Sequence, residues 1–504
     1  MPDLPDATIA DFVLEAAESR GDHPALVDGV TGESISYAQL GPAVFTIAAN
    51  LAARGVGPGD VVALVAANQP LWAATLYGIT ATGAAAAPVN PALKPREKAE
   101  LLNLVHARLV VTDGATAAGT TELPAEVEVL SWQDLLAGPP PEPATTTAPP
   151  AGGVSDRPAV IAFSSGTTGR PKGVVLTNRN LIAAIVQHGG IYHVGPDDRF
   201  LAALPLFHIY GLSMILDYGL RHGATIVTLP RFDLPRYLDL VERHRVTWLH
   251  LAPPLALQLV SEAAAGADLS SVRHAVSGAA PLDGRVAARA RERLGTPVGQ
   301  GYGMTEASPG VTWVPDDASV DCPPGSVGVL IAGTEARLVD PSTGADTAGP
   351  GELWVRGPQV MAGYFEDPAA TQQTLTGEGW LRTSDIARVD DSGVWWIVDR
   401  LKELIKYKGY QVAPAELEAV LLEHPLVSDA AVVGAPDPAA GEIPTAWVVA
   451  DAPLDAGDLM GWVAGQVAPY KRIRSVHFVD AIPRSPAGKI LRRELRAMAP
   501  RQDG

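Results

Sequence analysis

The stretch Ser164-Ser165-Gly166-Thr167-Thr168-Gly169-Arg170-Pro171-Lys172-Gly173 decides how this chain is read. It lies between Val160-Ile161-Ala162-Phe163 and Val174-Val175-Leu176-Thr177, so it reads as a loop between two buried strands. Its three glycines admit backbone conformations that other residues resist. Four hydroxyls and the backbone amides can wrap an anion, with Arg170 and Lys172 supplying charge. It is not a Walker A loop, in which Gly-Lys-Ser/Thr opens a helix; here Pro171 precedes Lys172 and a strand follows. Taken alone, the same composition also suits a mobile connection.

The surrounding chain is that of an ordinary globular protein of more than one domain. At 504 residues it is too long for a single core, and 47% of it is apolar. Its formal net charge of −18 disfavours nucleic acid or an anionic membrane as a general partner, so an anionic ligand must be held by local basic groups. The one cysteine, Cys322, excludes an intrachain disulfide and a thiolate-rich metal site, and fits a reducing compartment. The opening residues, Met-Pro-Asp-Leu-Pro-Asp, do not read as a secretory signal. Trp72 to Val89 is apolar but broken by Thr75, Thr80, Thr82, Gly83 and Pro88, which predicts a buried helix and strand rather than a membrane span. A cytoplasmic location is expected.

Val61 to Val65 is apolar on both faces, as parallel strands are, and helix and strand patterns alternate through Leu109-Val110-Val111. The expected class is α/β. Gly138 to Gly153 is a Pro/Thr/Gly-rich linker with almost nothing to bury. Further strands are expected at Phe200 to Leu204, Ala224 to Leu229, Val246 to Leu251 and Val272 to Ser277, with sites at their carboxyl ends. Beyond Pro323 short strands and turns predict a β-barrel-like subdomain. From Asp399 a small α+β unit begins, with a helix from Pro414 to His424.

Several blocks carry candidate chemistry. In Gln300-Gly301-Tyr302-Gly303-Met304-Thr305-Glu306, glycines allow close backbone approach, Tyr302 offers a stacking ring and Glu306 a hard carboxylate for magnesium; a tight turn with a core tyrosine has the same composition. In Thr383-Ser384-Asp385 and Asp399-Arg400, a carboxylate can accept two ribose hydroxyls and an arginine can bridge hydroxyl and phosphate. The basic run Arg400 to Pro414 and the loop Pro483-Arg484-Ser485-Pro486-Ala487-Gly488-Lys489 otherwise read as solvated surface. His208, in Leu206-Phe207-His208-Ile209-Tyr210-Gly211-Leu212-Ser213, follows a strand and Pro205.

Taken in order, these blocks resemble the adenylate-forming superfamily of acyl-CoA synthetases, peptide-synthetase adenylation domains and beetle luciferases, over essentially the whole chain. The resemblance implies a large N-terminal domain, 1–399, and a small mobile C-terminal domain, 400–504. It implies that Ser164, Ser165, Gly166, Thr167, Thr168, Gly169 and Lys172 hold the ATP phosphates. Gly301, Tyr302 and Gly303 then meet adenine, Thr305 the α-phosphate and Glu306 magnesium, while Asp385 and Arg400 take the ribose. Lys489 becomes the catalytic lysine and Lys402 the hinge. Lys406, Gly409 and Gln411 turn into the site for thiol attack.

Phe207-His208-Ile209-Tyr210 is particularly like coumarate:CoA ligases. That likeness places His208 near the acyl carboxylate and Tyr210 at the phenolic end of the substrate. Gly211, Ser213, Ser277, Gly278, Ala279, Gly301, Met304, Pro309 and Gly310 then line the pocket. Three departures stand out. Ser384 replaces a usual glycine, Gly351 to Gly357 lacks the plant ligases' cysteine, and Gly310 stands where they often carry valine, which is expected to widen the pocket. The implied activity is an acyl-CoA ligase for an aromatic or medium-sized acid, using ATP, Mg2+ and CoA. The alternatives are an adenylating enzyme that passes its activated acid or another oxyanion to a carrier-protein thiol or an amine, and a nucleotide-binding regulator without catalysis.

Overall fold

Val61–Val65 is buried along its whole length, as a continuous apolar run requires of a strand covered on both faces. Around it a computed structural model places a seven-stranded sheet. Ala85–Val89, Leu109–Thr112, Glu128–Ser131 and Pro158–Ser164 run parallel with it, and Lys172–Thr177 and Gly363–Tyr364 add antiparallel at one edge. The apolar run from Trp72 divides into the helix Pro70–Ala81, with proline in its first turn, and the strand Ala85–Val89. The structure describes residues 3–113, 127–137, 153–164, 171–282, 284–317, 319–401, 403–407, 410–437, 440–485 and 488–498, with the backbone alone at 400, 410 and 411. The expected linker over 138–152 lies outside them.

A second, nine-stranded sheet carries Pro24–Asp28, Thr225–Thr228, Arg199–Ala202, Trp248–Leu251, His274–Ser277 and Val298–Gly303 as a parallel set. Antiparallel Ser34–Ser36 closes one edge, and Gly310–Trp313 with Val329–Leu330 the other. Leu201, Val227, Leu249 and Leu251 fill the core on one side of it. The carboxyl ends of these strands release Ser277 and Gly303, His208 follows Ala202 by six residues, and Ser164 ends Pro158–Ser164 of the first sheet. That is the edge at which open α/β sheets bind ligands.

The chain divides into two compact units, 1–335 with 356–381, and 336–355 with 382–504. The second unit holds a four-stranded sheet of Glu335–Val339, Gly351–Arg356, Leu381–Val389 and Trp395–Arg400. It also holds a five-stranded sheet built on Val427–Asp437 and Gly441–Ala450, with Ile405, Leu417, Val432 and Val448 in its core. Beyond Pro323, where a β-barrel-like subdomain is expected, the described residues place this four-stranded sheet. Val329–Leu330 and Gly363–Tyr364, which could have lengthened it, hydrogen-bond into the two large sheets. Among the described residues no helix is long and apolar enough to cross a membrane.

Candidate functional site

The phosphate-loop candidate is the tip of a hairpin. Pro158–Ser164 and Lys172–Thr177 pair antiparallel up to Ser164 opposite Lys172, and Val160, Ile161, Val174 and Leu176 are buried, so both ends of the loop are fixed. Ser164 Oγ is buried without a hydrogen-bond partner among the described residues. Ser165, Gly166, Thr167, Thr168 and Gly169 lie outside the described residues. Lys172 Nζ sits 4.5 Å from the centre of the Tyr364 ring. The Tyr364 hydroxyl in turn donates to Glu306 Oε1 at 2.9 Å. Burial, with the neighbouring Glu306 charge, raises the Tyr364 pKa, so the phenol stays a neutral donor.

Glu306 belongs to the short turn Thr305–Ala307 that follows the glycine-rich strand, and it is only 7% exposed. Its carbonyl accepts the Met361 amide at 2.9 Å, so backbone and side chain are both pinned. Oε2 makes no hydrogen bond among the described residues. No group of three or more His, Cys, Asp or Glu stands together among them either. A lone buried carboxylate with a spare oxygen, close to a phosphate cradle, fits magnesium, which takes one or two carboxylates and shares the rest of its shell with phosphates and water. Tyr302 is half-buried and stands opposite Thr312 across the hairpin, and Met304 N–H donates to Pro309 O at 2.9 Å.

The acid-pocket candidates converge on a cluster of rings. After His208 the chain runs as a fully buried π-helix, Gly211–Asp217, a rare element that concentrates at functional sites. Only glycine fits at 211, since a Cβ there would lie 2.2 Å from Pro205 O. His208 Nδ1 accepts the Tyr210 amide at 3.3 Å, which leaves the proton of a neutral ring on Nε2. Tyr210 is buried, and its hydroxyl donates to Val276 O at 3.3 Å. Ser213 Oγ and Ser277 Oγ are buried without partners among the described residues. Ala279 holds a left-handed φ of 69° and Ser308 one of 59°, conformations that non-glycine residues keep where surrounding structure imposes them.

Glycines let the rings approach. A Cβ at Gly278 would be 3.0 Å from Tyr210 Cε1, one at Gly301 2.4 Å from Trp313 Cε3, and one at Gly303 2.0 Å from Pro309 O. Trp313 lies 6.1 Å from Tyr210 and 5.1 Å, edge-on, from His188. The expectation that Gly310 widens the pocket is corrected here. A Cβ at 310 would lie 2.4 Å from His188 Cε1, so the imidazole occupies that space. Burial lowers the His188 pKa to about 4, and Nδ1 donates to Ala184 O at 2.7 Å. The ring is therefore neutral and its Nε2 an acceptor. Sequence reasoning missed Trp313 and His188. Trp313 had a signal, an aromatic three residues after Gly310 and able to face a glycine across a hairpin, whereas His188, on a helix distant in sequence, had none.

In the second unit, register brings Asp385 and Arg400 together as cross-strand partners. Asp385 is 2% exposed, and its amide donates to Thr383 Oγ1 at 3.1 Å. Ser384 adopts φ 59°, a left-handed conformation that glycine takes without a Cβ penalty. Its amide donates to Glu352 Oε1 at 3.1 Å and its carbonyl accepts Leu401 N–H at 2.8 Å. Lys406 is exposed and stands opposite Gln411 where Ile405–Tyr407 and Tyr410–Val412 pair antiparallel. Lys489 lies on a short loop, with its amide donating to Ser485 Oγ at 3.2 Å and its carbonyl accepting Ser485 N–H at 2.8 Å. Lys402 and Gly409 lie outside the described residues.

Residues 13–365 match the AMP-binding enzyme family, and residues 416–489 the AMP-binding enzyme C-terminal domain. The chain belongs to this family of adenylate-forming enzymes. It is 40% identical to 4-coumarate–CoA ligase 5 of Oryza sativa subsp. japonica, over 98% of this chain and 96% of that one. Among solved structures it resembles ATP-bound MatB from Rhodopseudomonas palustris, with 29% identity, a TM-score of 0.88 and coverage of 97% and 99% of the two chains. It also resembles o-succinylbenzoate CoA synthetase (MenE) from Bacillus subtilis in complex with ATP and magnesium ion. There the identity is 29%, the TM-score 0.85 and the coverage 96% and 99%.

Proposed function

We propose that this enzyme joins an aromatic carboxylic acid to CoA at the expense of ATP. One carboxylate oxygen attacks the α-phosphorus, the bond to pyrophosphate breaks, and an acyl-adenylate forms. The CoA thiol, giving up its proton, then attacks the acyl carbon and AMP leaves. Splitting the reaction this way replaces a poor leaving group by a good one. The observation that carries the reading is the link from Lys172 through Tyr364 to Glu306. It joins the phosphate hairpin to a magnesium-competent carboxylate on the turn that links the strands carrying Gly301 and Trp313.

In this reading the residues at 164–169 and Lys172 cradle the phosphates, Thr305 meets the α-phosphate, and Tyr302, Asp385 and Arg400 hold the nucleoside. Magnesium at Glu306 neutralises phosphate charge when bound. His208 Nε2–H faces the carboxylate, and Tyr210, Trp313 and His188 receive the ring, as the match to a coumarate ligase and to a succinylbenzoate synthetase supports. Residues 400–504 turn about Lys402, so that Lys489 serves adenylation and Lys406 serves thioester formation. The single cysteine and the use of ATP and CoA support a cytoplasmic location.

The test is pyrophosphate release over a panel of cinnamic, benzoic, fatty and small acids with ATP and magnesium, each with and without CoA. Aromatic acids should release pyrophosphate and yield a thioester once CoA is added. Release that CoA leaves unchanged would point instead to a carrier-protein thiol or an amine as acceptor. Silence with every acid would overturn the reading.

A further inference from the structure

We infer that Arg492 is a positioning residue which ties the strand carrying Lys406 and the loop carrying Lys489 into one rigid frame. The inference rests on the roles proposed above for the two lysines. Arg492 opens the helix Arg492–Met498, three residues after Lys489, and its side chain is 10% exposed. Nη1 and Nη2 donate to the two oxygens of Glu418 on the helix Pro414–Leu422, the Nη2 bond being 3.1 Å, and Nη1 also donates to Val432 O at 2.9 Å. Glu418 Oε1 accepts the Val432 amide as well, at 2.7 Å. These bonds bind helix, strand and loop together through a fork that only a guanidinium offers.

The Nε donor goes elsewhere. Arg492 Nε donates to Glu403 Oε2 at 2.7 Å, and Glu403 precedes the strand Ile405–Tyr407 by two residues. Among the described residues that strand pairs with Gly441–Ala450 through Tyr407 and Gly441 alone. Its leading end also pairs with Tyr410–Val412 and is buried at Ile405, and Glu403 and the Lys406 amide on Glu442 Oε2 at 2.8 Å add the polar anchors of the Lys406 backbone. The Lys489 loop has further anchors of its own. Arg484 donates to Asp429 Oδ1 at 2.8 Å and to Gly488 O at 3.1 Å, and Leu491 N–H donates to Pro483 O at 2.9 Å. Removing the Glu403 arm thus loosens the Lys406 side of the frame and leaves the Lys489 side held.

Glu403→Gln separates these roles without touching the buried fork, since Glu403 is 28% exposed and Arg492 keeps Glu418 and Val432. Pyrophosphate release without CoA should stay within about twofold of the parent, while thioester formation from preloaded acyl-adenylate should slow about tenfold, the scale of one weakened charge-assisted hydrogen bond. Amide exchange should quicken over 403–407 and hold over 484–491, a readout that needs no substrate and separates this inference from the choice of acid. Equal slowing of both half-reactions with a lower Tm, or no change in exchange at 403–407, would overturn it.

Discussion

Tyr364 donates its hydroxyl proton to Glu306 Oε1 at 2.9 Å. The same ring lies under the Lys172 ammonium, so one side chain orients both a carboxylate suited to magnesium and a cation suited to phosphate. Tyr364→Phe keeps the ring and deletes the hydrogen bond. A hydrogen bond to a charged group is worth about 1.5–3 kcal/mol, so the KM for magnesium-ATP should rise about tenfold or more with the KM for the acid little changed. An unchanged nucleotide KM would count against this role.

The two lysines should divide the reaction. Lys489→Ala should lower adenylation by about two orders of magnitude or more, the scale on which one electrostatic donor acts in a closed site. Lys406→Ala should leave pyrophosphate release intact and slow thioester formation. Single-turnover rates for each half-reaction check both, and equal losses in both variants would refute the division.

Gly301 gives way to the Trp313 ring, so Gly301→Ala forces the indole to move. Overpacking of this kind costs about 1–3 kcal/mol. We expect a lower Tm, altered tryptophan fluorescence and a higher KM for the acid. Gly266→Ala is the control, because a Cβ there meets nothing within 4 Å.

Burial raises the Asp217 carboxyl from 3.8 to about 8, against the opposing pull of the Tyr77 hydroxyl, which donates to Oδ1 at 2.7 Å. The folded chain therefore keeps a proton that the unfolded chain releases. The stability this group contributes is full below about pH 4 and is lost as pH rises through about 8. Asp217→Asn carries no such proton. Its Tm relative to the parent should climb between pH 5 and pH 8, by up to about 1.4 kcal/mol of stability per pH unit. A gap that does not vary with pH would mean that Asp217 ionises as readily inside as outside.

Much of this was legible in local sequence. The apolar runs at 61–65, 85–89 and 109–112 became parallel strands because a run with no polar face has to be covered on both sides. The hairpin under the phosphate loop followed from two apolar runs flanking glycines, and the helix after Pro414 from its proline and the apolar stripe behind it. Asp385 and Arg400 could be named as candidates, but their pairing is a matter of strand register, which local pattern leaves open.

The sequence by itself determined the fold class, the family and the residue types that handle phosphate, since ten consecutive positions of glycine, hydroxyl and cation with one proline are a local chemical pattern. Only the tertiary structure decided the neighbours. It set Tyr364 between Lys172 and Glu306, His188 in the space left by Gly310, and Arg492 across Glu403 and Glu418. Each of these contacts joins residues dozens to more than a hundred positions apart. Packing and burial bring such residues together, and no local periodicity encodes them.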